Sequence, residues 1–110
     1  MSGLSMINEM NDLNSRLNNA IKLMAKYGRE YAQTEHDYKI ELKKQALIRR
    51  ESGMPVTLID KVVYGDCAEQ RFKRDTAEIM YKTAQENINS IKLQIRILDN
   101  QISREWGRGD

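Results

Sequence analysis

Cysteine, proline, histidine and phenylalanine occur once each in this chain, and aromatic residues make up only 6% of its 110 positions. A single cysteine, Cys67, excludes an internal disulfide framework and fits a reducing compartment. A metal site needs several convergent ligands, and His36, between Glu35 and Asp37, stands far in sequence from that cysteine. No metal or other cofactor is therefore expected, and His36 reads as structural or solvated. Cys67 reads as a plain reduced thiol, although a position in the first turn of a helix can lower a thiol pKa. The scarcity of aromatics, with 31% charged and 40% hydrophobic residues, excludes the composition of a β-sandwich and matches helical coiled-coil chains.

Long apolar runs are missing too. None approaches the roughly 20 residues needed to span a bilayer. The opening Met1-Ser2-Gly3-Leu4-Ser5 has no basic stretch followed by an apolar one, so a soluble, cytoplasmic protein without a membrane partner is expected. The closing Arg108-Gly109-Asp110 spells an adhesion tripeptide, which without a secretory leader is read as chance. No glycine-rich phosphate loop, nucleophile elbow or zinc-ligand spacing is present. Carboxylates alternate with basic residues along helix faces, as in Glu78 and Lys82, which supports a helix at i,i+4 rather than an acid–base pair. The chain is not expected to be an enzyme.

What the sequence does contain is two hydrophobic stripes in step. The first runs Met6, Met10, Leu13, Leu17, Ala20, Met24, Tyr27, Tyr31, Thr34, Tyr38. The second runs Ala77, Tyr81, Ala84, Ile88, Ile91, Ile95, Leu98, Ile102, and Trp106 extends it by one more step. Alternating steps of four and three average 3.5 residues per turn, the seam of a left-handed coiled coil. Two such seams around one break predict an all-α fold, a long antiparallel coiled-coil helical hairpin occupying residues 1–110 as a single domain.

The first helix is predicted over about residues 4–52, on the order of 70 Å at 1.5 Å per residue. Ser52-Gly53 with Pro55 just beyond reads as its stop. The tip, residues 53–66, carries a short helix predicted from Leu58 to Tyr64, capped by Thr57 with Asp60 three places on and stopped by Gly65. Asp66 and Glu69 form a second capping box, opening a last helix over about 67–104, with a short tail at 105–110. Past Tyr38 the apolar arc widens through Leu42 and Ala46, with Ile40, Leu47 and Ile48 beside them, as if a third element covers the helix. Met54, Val56, Leu58, Ile59, Val62 and Val63 supply the apolar surface for the short helix to do so. Folding back about the tip predicts Tyr31 and Tyr38 opposite Ala84 and Ala77, large against small.

A sparser apolar row, Ile79, Leu93 and Ile97 with Phe72 on the last helix and Ile7 and Ile21 on the first, reads either as a partial flank of the seam or as a face for a homodimer in which two hairpins make a helical bundle. A lone two-helix hairpin gains little burial per residue, which points the same way.

Charge is uneven. Residues 1–38 carry four basic and five acidic side chains, residues 39–74 nine and five, and residues 75–110 five and six. The tip is therefore basic. Arg49, Arg50, Val56, Leu58, Lys61, Arg71 and Arg74 are the expected contact residues for a partner protein or nucleic acid. A cluster of this kind can neutralise phosphates, with steep salt dependence. Few aromatics stand beside it, only Tyr64 and Phe72, which disfavours sequence-specific single-strand recognition.

The residues Gly53-Met54-Pro55-Val56-Thr57-Leu58-Ile59, then Gly65-Asp66, Arg71, Asp75, Ala77-Glu78 and Tyr81 carry a resemblance. From about Tyr27 to Asn100 the chain resembles small helical proteins encoded by phages and prophages of Gram-positive bacteria, often among early replication and recombination genes. The resemblance implies a phage protein acting inside a bacterial host cell and brings no catalytic residue. The expectation is a non-enzymatic interaction protein that docks on a nucleic-acid-handling complex, as a defence inhibitor or a replication or recombination accessory. Direct, sequence-independent binding of DNA or RNA through the tip, and a structural coiled-coil subunit, are the alternatives.

Overall fold

The computed structural model describes residues 3–107, so the Arg108-Gly109-Asp110 ending lies outside it. The fold is an all-α helical hairpin of three helices, α1 (Gly3–Glu51), α2 (Val56–Asp66) and α3 (Ala68–Trp106). No described helix is long and apolar enough to cross a membrane. Every seam position from Met6 to Tyr38 and from Ala77 to Ile102 is buried or half-buried. Two compact units divide the chain, one of Met1–Ala25 with Lys82–Asp110 and one of Lys26–Tyr81.

In the first unit α1 and α3 run antiparallel, because partners fall in number on α3 as they rise on α1. Met6 and Leu13 cluster with Leu98 and half-buried Ile95 and Ile102, and Ala20 clusters with Ile88 and Ile91. At the chain ends the Trp106 ring lies on the backbone of Gly3, where an added Cβ would stand 2.5 Å from Cζ2. Trp106 extends the seam only in part, since 56% of it stays exposed.

The second unit holds the turn. α1 stops as expected: the Met54 amide donates to the Arg49 carbonyl at 3.2 Å and the Gly53 amide to that of Arg50 at 3.1 Å. This Schellman arrangement needs a left-handed residue, which Gly53 supplies with φ 86°.

The short helix corrects two expectations. It begins at Val56, with Pro55 as the preceding cap residue and no side-chain capping bond, so Thr57 lies inside the helix. The Pro55 carbonyl accepts the Leu58 amide at 2.9 Å, which starts the helix directly behind the proline. Gly65 does not stop it either, since α2 continues to Asp66. A single residue, Cys67, joins α2 to α3: its amide donates to the Val63 carbonyl and its carbonyl accepts the Arg71 amide, both at 3.0 Å. Tertiary packing outweighs the roughly 1 kcal/mol propensity cost of the glycine. Ile59, Val63 and Cys67 are buried with Tyr38, and half-buried Leu42, Ala46 and Met54 pack around them. The short helix thus covers the widened arc of α1.

The pairing of the tyrosines also differs from expectation. Tyr31 meets Tyr81, with ring centroids 6.1 Å apart and planes tilted by 36°. Its hydroxyl donates to Glu78 Oε2 at 3.1 Å. Tyr38 sits under Arg74, whose guanidinium carbon is 4.6 Å from the ring centroid. A four-three seam repeats itself along the helix, so sliding one helix past the other leaves apolar residues facing apolar residues. The whole connection, made of the Gly53 turn, the eleven residues of α2 and the one-residue link at Cys67, sets the register that periodicity leaves open.

Candidate functional site

The basic tip is less free than its composition implies. Arg49 grips Asp66 with two bonds of 3.0 Å, Nε to Oδ2 and Nη2 to Oδ1. Arg71 donates from Nη1 to the Tyr64 carbonyl at 2.7 Å and stacks on the Tyr64 ring, 3.5 Å from its centroid. Arg74 donates to Asp75 Oδ1 at 3.0 and 2.8 Å, and this bond raises its pKa further above the ordinary arginine value. Three of the seven expected contact residues are therefore committed within the chain: Arg49 ties α1 to α2 and Arg71 ties α3 to α2, while Arg74 pairs with its neighbour Asp75 and lies over the Tyr38 ring of α1. Asp66, expected as a helix cap, spends its carboxylate on Arg49.

The other four face solvent. Arg50 and Lys61 are exposed and, among the described residues, form no ion pair. Val56 is 76% exposed and Leu58 is exposed as well. Arg50 and Val56 line a groove of about 530 Å³ between the end of α1 and α2. Ala46, Leu47, Val56 and Ile59 make it apolar, Lys43 and Arg50 rim it on the α1 side, and Asp60 rims it from α2. Leu47 is 59% exposed, so much of this apolar surface is left uncovered.

Lys43, Leu47 and Asp60 line this groove without being among the expected contact residues. The widening of the apolar arc beyond Tyr38 was the available signal. It has more width than α2 covers, and Leu47 is the excess.

The sparser apolar row is exposed throughout. Ile7, Ile21, Ile79, Leu93 and Ile97 all face solvent, as does Phe72 at 69%. Within the first unit Ile21 lies beside Met24 and Ile88 in a shallow cleft with Lys92 and Glu86.

Cys67 is fully buried and unpaired in any disulfide. Burial pushes its thiol pKa up, the nearby Glu41 and Asp66 push the same way, and Arg71 opposes them. An inert structural thiol follows. His36 is largely exposed, its Nδ1 3.6 Å from Asp37 Oδ1. Among the described residues no three histidine, cysteine or carboxylate side chains converge as metal ligands would. Comparison with protein families, with curated proteins and with solved structures finds no match to this chain.

Proposed function

We propose that this chain is a non-enzymatic docking protein that binds a protein of a nucleic-acid-handling complex through its tip. The apolar groove carries the reading: Leu47 and Val56 are uncovered at a turn braced by Arg49 and Arg71. An apolar surface concave enough to form a groove and rimmed by unpaired cations has the character of an interaction site. Commitment of three arginines to internal partners moves the weight from phosphate contact toward protein contact. The sequence resemblance to phage early proteins supplies the context of an inhibitor or accessory inside a bacterial cell.

The test is capture from a bacterial lysate with the tagged full chain, with and without nuclease, read by mass spectrometry. A stoichiometric nucleic-acid-handling protein that survives nuclease and is lost with Leu47→Glu and Val56→Glu is the expected result. Capture that disappears with nuclease, or that ignores both substitutions, would overturn the reading.

A further inference from the structure

We propose that the groove between α1 and α2 receives an amphipathic helix of the partner whose apolar side chains are flanked by carboxylates; this deepens, and rests on, the docking reading above. Three observations within the second unit converge on that chemistry.

The floor is apolar, with Ala46 and Leu47 from α1 and Val56 and Ile59 from α2. Apolar anchors entering from a helix would remove Leu47 and Val56 from water. The α1 rim is cationic at a helical spacing. Lys43 and Arg50 are seven residues apart, two turns or roughly 10 Å, with Leu47 between them. A helix laid along α1 repeats that spacing, so carboxylates two turns apart with leucine between them meet cation, apolar side chain and cation in turn. Lys43 and Arg50 have no carboxylate of their own among the described residues.

The third observation is the start of α2 at the groove edge. It has no side-chain cap and no acidic residue in its first turn. The positive end of its dipole and the amides of Val56 and Thr57, ahead of the Leu58 amide that Pro55 accepts, are left for an acceptor from outside the chain. Asp60 is the acidic member of the lining, so the seven lining residues carry two positive charges and one negative. A nucleic acid would satisfy the cations but would bring no aliphatic group to cover Leu47 and Val56. The combination favours an acidic, amphipathic protein segment.

The experiment titrates the isotope-labelled full chain with two synthetic amphipathic helices of about five turns, identical in leucines but flanked by glutamate in one and lysine in the other. The glutamate peptide is expected to shift the amides of Leu47, Val56, Thr57 and Ile59 and to bind at least about tenfold more tightly than the lysine peptide. Lys43→Glu with Arg50→Glu is expected to reverse that preference while the helical circular dichroism stays unchanged. Leu47→Glu is expected to weaken the glutamate peptide by about tenfold or more.

Equal binding of both peptides, or no shift at the groove with either, would overturn the assignment. So would groove shifts that grow with protein concentration alone, which would mark a second copy as the occupant, or groove shifts caused by a short DNA duplex. The peptide arms use no lysate, so the two readings fail separately. A nuclease-resistant partner whose capture ignores Lys43→Glu and Arg50→Glu would leave docking standing and remove the acidic helix.

Discussion

Arg49 and Asp66 stand seventeen residues apart in sequence and meet through two hydrogen bonds of 3.0 Å, clamping the last turn of α1 to the last residue of α2. Both side chains are partly exposed, at 37% and 24%. Screening keeps such a pair modest, but its paired geometry lifts it to the upper part of the range for surface bridges. A double-mutant cycle with Arg49→Ala and Asp66→Ala is expected to give a coupling of about 0.5–1 kcal/mol in urea denaturation. Arg49→Glu is expected to cost more than Arg49→Ala, because it sets two carboxylates face to face. Additive single effects would show the clamp to be idle.

Three glycines of the second unit should answer differently to alanine. At Gly65 a Cβ would meet nothing within 4 Å, so Gly65→Ala is expected to stabilise by about 0.5–1 kcal/mol through helix propensity. At Gly28 the new Cβ would lie 3.1 Å from Tyr81 Cε1. The ring must yield by a few tenths of an ångström, so Gly28→Ala is expected to gain less than Gly65→Ala. Gly53, at φ 86°, is expected to lose about 1 kcal/mol as alanine. Urea midpoints of the three variants would rank them, and a gain at Gly53 would contradict the turn geometry.

Cys67 should react slowly. Its thiol has no exposed surface and a pKa raised by burial, so a thiol reagent reaches it only through opening of the tip. Modification in native buffer is expected to be at least about a hundredfold slower than in denaturant, given an opening free energy of a few kcal/mol. Cys67→Ser is expected to destabilise by about 1–3 kcal/mol, since the hydroxyl is desolvated where the sulfur was not penalised. Fast native labelling would show the tip to be open.

Stability should decline toward alkaline pH. The hydrogen bond to Glu78, then burial and the charges of Glu78 and Glu35, hold the Tyr31 hydroxyl above its ordinary pKa of 10.0, with Arg74 opposing. Burial holds Cys67 above its ordinary 9.0. Both groups keep a proton in the folded chain that the unfolded chain releases sooner. Their contribution is complete below the unfolded pKa values and is lost as pH rises through the folded ones. Denaturation from pH 7 upward is expected to show stability falling beyond about pH 9, with a shallower fall in Tyr31→Phe and Cys67→Ala. A flat profile would refute both shifts.

Much of this architecture was legible in the chain itself. Steps of four and three from Met6 to Tyr38 and from Ala77 to Ile102 identify the buried face of each long helix, because 3.6-residue periodicity is a local property. Ser52-Gly53 and Pro55 mark the turn through backbone chemistry that the residue types carry with them. The widened arc at Leu42, Ala46 and Leu47 announced a covering element and located the groove in outline.

Helix register and the state of the basic residues were not legible. A repeating seam is satisfied at several registers, and the length and geometry of the connection from Gly53 through α2 to Cys67 select the one that sets Tyr31 beside Tyr81. Counting cations at the tip treats Arg49, Arg50, Arg71 and Arg74 alike. Folding divides them, because Asp66 comes within reach of Arg49, the Tyr64 ring and carbonyl within reach of Arg71, and the Tyr38 ring beneath Arg74, while Arg50 is left on the groove rim. Periodicity is encoded residue by residue, whereas the availability of a charge depends on which distant groups the turn brings within about 3 Å of it.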